Sequence, residues 1–162
     1  MSIFPTRILL ATDGSEEATL AARTAVDIAD KTGSELHVVH ATPVPVAVDA
    51  AADVLRVSEK AEEGVRKRAR QFLDEQLEQV EAAGGSVAQS HVRLGRPDEE
   101  IVKLADELDA GLIVVGSRGL GGLRRALLGS VSDSVVRHAH CHVLLLCSHR
   151  EPGLLSLGRI CP

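Results

Sequence analysis

The chain has 162 residues, 44% of them hydrophobic, and a formal net charge of -5. That is enough for one domain with a sizeable core, too few for two, and too apolar for a disordered chain. Two Phe and no Trp or Tyr leave no aromatic platform for stacking bases, and an acidic balance disfavours binding a phosphate backbone, so no nucleic-acid partner is expected.

The first predicted strand is "RILLAT", Arg7 to Thr12, a short apolar run that ends in the turn residues "DGS". From Glu16 the period changes. Ala18, Ala21, Ala22, Ala25, Ile28 and Ala29 recur at helical spacing, and Gly33 supplies the stop. Glu35 to Ala41, "ELHVVHA", reads as the second strand. "TPVPVAVDAAAD" then carries two prolines, which bar regular helix, and reads as a surface loop. A long helix follows, with Val54, Ala61, Val65, Ala69, Phe72, Leu77, Val80 and Ala83 near one face and Gly84-Gly85 at its end.

Ser86 to Leu94 is the third predicted strand. Pro97 suits a first helical position, and Asp98, Glu99 and Glu100 complement the helix dipole. Ile101, Leu104, Ala105 and Leu108 form the buried face of that helix. "LIVVG", Leu112 to Gly116, is a fully apolar fourth strand. After a glycine-rich segment, Ser130 to Ala139 reads as a helix and "HVLLLC", His142 to Cys147, as the fifth strand. Strands and helices alternate, and the strands are apolar on both faces. This predicts an α/β fold, a five-stranded parallel sheet with helices on both faces. Ligands of such sheets bind beyond the carboxyl ends of the strands at a topological switch point. The ends to inspect are Asp13, Ala41 and the loop from Gly116.

No apolar run approaches the roughly 18 residues of a membrane span, so no membrane partner is expected. "MSIFPTRILLATDG" predicts no secretory leader. Three cysteines without metal-ligand spacing fit a reducing, cytoplasmic setting better than a disulfide framework.

The glycine-rich segment "VVGSRGLGGLRRALLGSVSDS" fails the common phosphate templates. There is no Gly-Lys pair for a Walker A loop, and Arg124 stands where a dinucleotide fingerprint from Gly119 needs glycine. No G-x-S-x-G elbow surrounds Ser117 or Ser130. What remains is Gly116 and Gly119 directly after a strand, then Gly129 and Ser130 at a helix start. Ser130 suits an N-cap, with Asp133 completing a capping-box-like pattern. The N–H groups of Val131 and its neighbours would then face an anion. Ser130 and Ser132 would add hydroxyl donors, and the glycines would let backbone approach a ligand closely. On spacing alone, a capped helix after an empty turn is an equal reading.

The spacing Gly116, Gly119, nine residues, Gly129, Ser130 resembles the G-x-x-G-x9-G-(S/T) signature of the universal stress protein family. "RILLATDGSEEA" is similar to that family's opening strand and acidic turn, and "GRPDEEIVKLADELDAGLIVVGSRG" to its third helix and fourth strand. The likeness runs from Arg7 to Cys147. It implies a Rossmann-like sheet of order 3-2-1-4-5, an ATP-binding domain over residues 1–147 and a tail over 148–162 without counterpart. It implies an ATP site in which Asp13 lies beside ribose and phosphate through hydrated magnesium, and Ala41 meets adenine through its backbone. Gly116 and Gly119 would approach ribose and phosphate, and Gly129, Ser130, Val131 and Ser132 would hold the phosphates. The implied function is a stress-response regulatory or signalling module. It would be a homodimer through the last strand, whose apolar edge invites pairing. Slow ATP hydrolysis and a non-nucleotide interaction protein of the same fold are the alternatives. Cys141-His142-Val143 departs from the family's Cys-Pro-Val before the last strand.

Four other features have plainer readings. Asp13 lacks the acidic neighbours and the following lysine of a phospho-acceptor site. His138, His140 and His142 alternate and invite metal, but His138 and His140 lie at a helix end and turn, so the three need not share a face, and histidine is favourable there without metal. Arg66, Lys67, Arg68 and Arg70 stand at helix-pair spacings from Glu62, Glu63 and Asp74, as on a solvated face. Arg118, Arg124 and Arg125 lie inside the glycine segment, where screening of phosphate charge and plain solvated surface are equal readings.

Overall fold

The computed structural model describes residues 3–44, 47–49, 54–56, 59–120 and 128–148. In chain order the elements are β1 (Arg7–Ala11), α1 (Glu16–Thr32), β2 (Glu35–Thr42), β3 (Ala47–Asp49), β4 (Val54–Arg56) and α2 (Glu59–Ala82). Then follow β5 (Val87–Leu94), α3 (Pro97–Glu107), β6 (Leu112–Gly116), α4 (Ser130–His138) and β7 (His142–Leu146). Five strands form one parallel sheet in the order β5-β2-β1-β6-β7. Counted among those five strands alone, this is the expected 3-2-1-4-5.

Alternation along the strands divides the core between the two faces of the sheet. Ile8 and Leu10 of β1, with Leu36 and Val38 of β2, turn to α1 and α2, where Ala21, Ala25, Leu73 and Val80 cover them. Leu9 and Ala11, with Val39, Ile113 and Val115, turn to α3 and α4 and meet Ile101, Leu104 and Val135. Aliphatic side chains this deeply buried each contribute roughly 1.5–3 kcal/mol relative to exposure. With scarcely any aromatic residues, many small side chains carry the core.

Local signals set the helix ends. Ser15 caps α1, its Oγ accepting from the Ala18 N–H at 3.2 Å. Gly33 ends that helix at φ 67°, a left-handed conformation that favours glycine. Pro97 opens α3. On α2, Arg66 pairs with Glu62 at 3.2 Å and Arg70 with Asp74 at 3.1 Å, the solvated face expected of that cluster.

Two expectations fail between β2 and α2. The segment read as a surface loop contains β3, which pairs antiparallel with β4, Ala47 opposite Arg56 and Asp49 opposite Val54. Val54, placed on the long helix by its spacing, belongs to β4, and the helix begins at Glu59. The prolines at 43 and 45 exclude helix where they stand but not an extended pair after them.

Candidate functional site

β1 lies in the middle of the sheet. The chain leaves it to one side through α1 to β2, and returns on its other side as β6. A crevice opens at this switch, beyond the carboxyl ends of β1, β2 and β6. The last link between β1 and β2 is the Thr12 N–H to the Val39 carbonyl, 3.0 Å. Val39 therefore turns its main chain toward β1. Two residues on, Ala41 turns its main chain the same way, past the end of β1 and toward the crevice.

Asp13 follows β1 directly. Its Oδ1 accepts from the Ser15 N–H at 3.0 Å, and its Oδ2 from the Leu120 N–H at 3.2 Å. The acidic turn is thus tied to the start of the glycine segment. The segment is pinned again at Ser117. The Ser117 N–H donates to the Leu146 carbonyl at 2.8 Å, and the Ser117 carbonyl accepts from the Gly129 N–H and the Ser132 hydroxyl, both at 2.7 Å. One carbonyl therefore holds together the two ends of the long glycine spacing. Gly121, Gly122, Arg124 and Arg125 lie outside the described residues.

The start of α4 differs from expectation by one position. Gly129, at φ -77° and ψ 160°, is the N-cap, and Ser130 is the first helical residue. No side chain caps this terminus. Asp133 pairs with Arg137 at 3.0 and 3.2 Å instead of closing a capping box. The helical ladder begins with the Asp133 N–H to the Gly129 carbonyl at 2.9 Å. The N–H groups of Ser130, Val131 and Ser132 precede it and have no acceptor among the described residues. The Ser132 hydroxyl is buried and spent on Ser117 and Gly129, so Ser132 offers its main-chain N–H and not the hydroxyl donor expected of it. Such a terminus favours an anion by donor geometry and dipole together.

These pieces enclose a cavity of about 490 Å³. Asp13 and Ala41 line it from β1 and β2, and Gly116 and Gly119 from the β6 end. Gly129, Ser130, Val131 and Ser132 line it from α4. All eight residues singled out in the sequence meet at this one place. Sequence reasoning missed the apolar wall of Val39, Pro97, Ile101 and Val115. The signal existed in outline, since α3 must cover this face of a doubly wound sheet. Which turn of α3 reaches the crevice follows only from packing.

Two of the glycines have neighbours closer than any ligand. A Cβ at Gly116 would lie 2.8 Å from Glu17 Cβ and 3.0 Å from Ala18 N, so this glycine lets α1 pack against β6. A Cβ at Gly119 would collide with the Asp13 carboxylate. At Gly129 the nearest atom would be 3.4 Å away, an ordinary contact.

Electrostatics add one cation and two carboxylates. Arg118 lies in the cavity wall, its guanidinium 3.5 Å from Glu17 Oε1, and its buried Nε has no partner among the described residues. Glu17 also accepts from the Ser148 hydroxyl at 2.8 Å. Asp98 ties α3 to α4, accepting from the Ser134 hydroxyl at 2.8 Å and from Arg96 at 2.9 Å. Burial alone would raise the Asp98 pKa, but Ser134, Arg96 and a main-chain donor together hold it below the ordinary range.

Asp13 is the carboxylate that a metal at this site would meet. Each of its oxygens accepts a single backbone N–H, so lone pairs remain. Magnesium commonly takes one or two carboxylates, with phosphates and water for the rest. Among the described residues no three His, Cys, Asp or Glu gather to hold a metal by themselves. The three late histidines separate: His138 Nδ1 meets the Ser134 carbonyl at 2.8 Å, His140 meets Asp106 at 3.2 Å, and His142 opens β7. No helix among the described residues is long and apolar enough to cross a membrane.

The model of the universal stress protein family matches residues 5–146. A universal stress protein of Methanocaldococcus jannaschii is 32% identical over 140 residues, spanning 86% of this chain and 81% of the relative. Among solved structures, a universal stress protein from Lactobacillus plantarum superposes with a TM-score of 0.72 at 25% identity, covering 88% of this chain and 98% of its own. A universal stress protein in complex with cAMP superposes with a TM-score of 0.65 at 26% identity, covering 89% and 98%.

Proposed function

The chain belongs to the universal stress protein family, and from that membership we propose that it binds ATP with magnesium and acts as a regulatory or signalling module in a stress response. One observation carries the reading. Three N–H groups at the start of α4 and Asp13 line the same cavity, opposite an apolar wall with Ala41 beside it, and those N–H groups have no acceptor among the described residues. Anion donors at one end and an apolar slot with a main-chain edge at the other suit a nucleotide's phosphate and base. The cAMP complex of a relative supports an adenine base as the occupant.

In this reading Val39, Ile101 and Val115 flank the base, and the Ala41 main chain meets its edge. Ser130, Val131 and Ser132 donate N–H groups to the phosphates, and Arg118 screens their charge. Bound magnesium would supply neutralisation of phosphate charge, with Asp13 as its protein anchor. Two copies would join along β7, the apolar edge strand.

Calorimetry with ATP, with and without magnesium, tests the proposal. Saturable binding that strengthens with magnesium is expected. No heat, together with no nucleotide in the purified protein, would remove the reading.

A further inference from the structure

A second cavity lies on the opposite face of the sheet. Ala18 and Ala22 of α1 line it together with Ala82, the last residue of α2, and Ala83 just after it. Side chains this small cannot close the space between two helices, and a groove of about 340 Å³ remains. Its floor is Leu10 and Val38, and Val80 closes one side.

The rim is polar and underused. Arg23 is exposed beside the groove, and its side chain makes no ion pair or hydrogen bond among the described residues. Its neighbour Asp27 pairs with Lys31 instead, at 3.6 Å. The Gln79 side chain likewise has no partner among the described residues, its main-chain carbonyl alone accepting from the Ala83 N–H at 3.1 Å. Gln76 accepts from the Thr12 hydroxyl through Oε1 at 3.3 Å, and its Nε2 protons have no acceptor among the described residues. One guanidinium and two amide groups thus stand over an apolar floor.

We infer that this groove is a second small-molecule site, one that takes a short aliphatic carboxylate. The alkyl chain lies on Leu10, Val38 and the alanines, and the carboxylate meets Arg23 and the Gln76 and Gln79 amides. A single charge fits a single guanidinium, which binds carboxylate in paired geometry. A phosphate dianion is disfavoured, because the exposed outer face of α2 carries Asp74, Glu75, Glu78 and Glu81. The volume stands near the lower end of ligand pockets, which limits the occupant to a small molecule. Thr12 and Ala18 line this groove and the larger cavity alike, so the two are separated by little more than those side chains. The inference does not depend on what the larger cavity holds.

Titration of isotope-labelled protein with hexanoate, followed by methyl NMR at Ala22 and Ala82, tests it. Saturable shifts confined to the groove are expected at concentrations up to about 20 mM, enough to detect millimolar affinity. Ala22→Leu fills the groove and abolishes them. Arg23→Gln, an exposed change that leaves the fold intact, weakens binding about tenfold by removing a charge-assisted contact. No saturable shift in the unaltered protein, or equal shifts in both variants, would overturn the inference.

Discussion

Asp13 and Leu120 stand far apart in sequence, yet the Asp13 carboxylate accepts the Leu120 N–H at 3.2 Å. With Ser15 held by the other carboxylate oxygen, one side chain fixes both the turn after β1 and the opening of the glycine segment. The carboxylate occupies the space beside Gly119 that a Cβ would need. Part of the glycine signature therefore serves the acid before it serves any ligand.

The two glycines flanking the spacer should then respond differently to alanine. Gly119→Ala pushes Asp13 from its place and breaks its link to Leu120. A loss of about 1–3 kcal/mol in stability is expected, together with weaker nucleotide binding. Gly129→Ala meets nothing closer than 3.4 Å, at an ordinary φ of -77°. It should keep its stability within about 1 kcal/mol, since glycine and alanine differ modestly at an N-cap, while a methyl group now stands at the cavity wall. Urea melts and ATP calorimetry on both variants separate the two effects. Equal destabilisation would contradict the distinction.

Much of this was legible in the sequence. Apolar runs in β1, β2 and β6 and helical spacing in α1 and α3 give the sheet and its layers, because each pattern has one period. The glycine spacing likewise pointed to the site. The failures have physical causes. Val54 satisfies a helical pattern as well as a strand, and only pairing with β3 decides between them. Gly129 takes the cap from Ser130 because its extended backbone, not its side chain, begins the helix. The tasks of Gly116 and Gly119 are set by Glu17 and Asp13, which fold against them from the other end of the chain.

Acid should weaken the sheet at its β5 edge. His91 Nε2 lies 3.3 Å from Nδ1 of the buried His37, with the rings stacked. Burial, then the His37 and Arg93 charges, lower the His91 pKa from about 6.5, against an opposing pull from Glu107. Glu35 of β2 also faces the pair, 3.7 Å from His37 Nε2. Below pH 6.5 the unfolded chain binds more protons at His91 than the fold does, so stability falls as pH drops from that value and is full above it. Urea midpoints at pH 7.5 and 5.5 should show the loss, and His91→Gln should reduce it. An unchanged pH slope in the variant would assign the effect elsewhere.

The exposed edge of β7 has a defined polarity. The His142 N–H donates to Gly111, and the Leu146 carbonyl accepts from Ser117, so even-numbered residues turn their main chain to β6. Val143 and Leu145 therefore turn theirs outward. Light scattering at micromolar concentration is expected to report a dimer. Val143→Pro removes an outward donor without touching the β6 ladder and should give a folded monomer. A strictly monomeric unaltered protein sinks the dimer.

Bound ATP should remain intact for hours. Phosphoryl transfer to water needs a group that orients the attacking water or takes its proton. Among the described residues lining the cavity, Asp13 is the sole carboxylate, and both its oxygens already accept backbone N–H groups. A carboxylate held this way stabilises a metal and a turn better than it accepts a proton. Arg118, in the cavity wall, is paired with Glu17 at 3.5 Å. Chromatography of nucleotide after prolonged incubation should recover ATP. Steady ADP release that disappears in Asp13→Asn would make the protein an enzyme and Asp13 its catalytic residue.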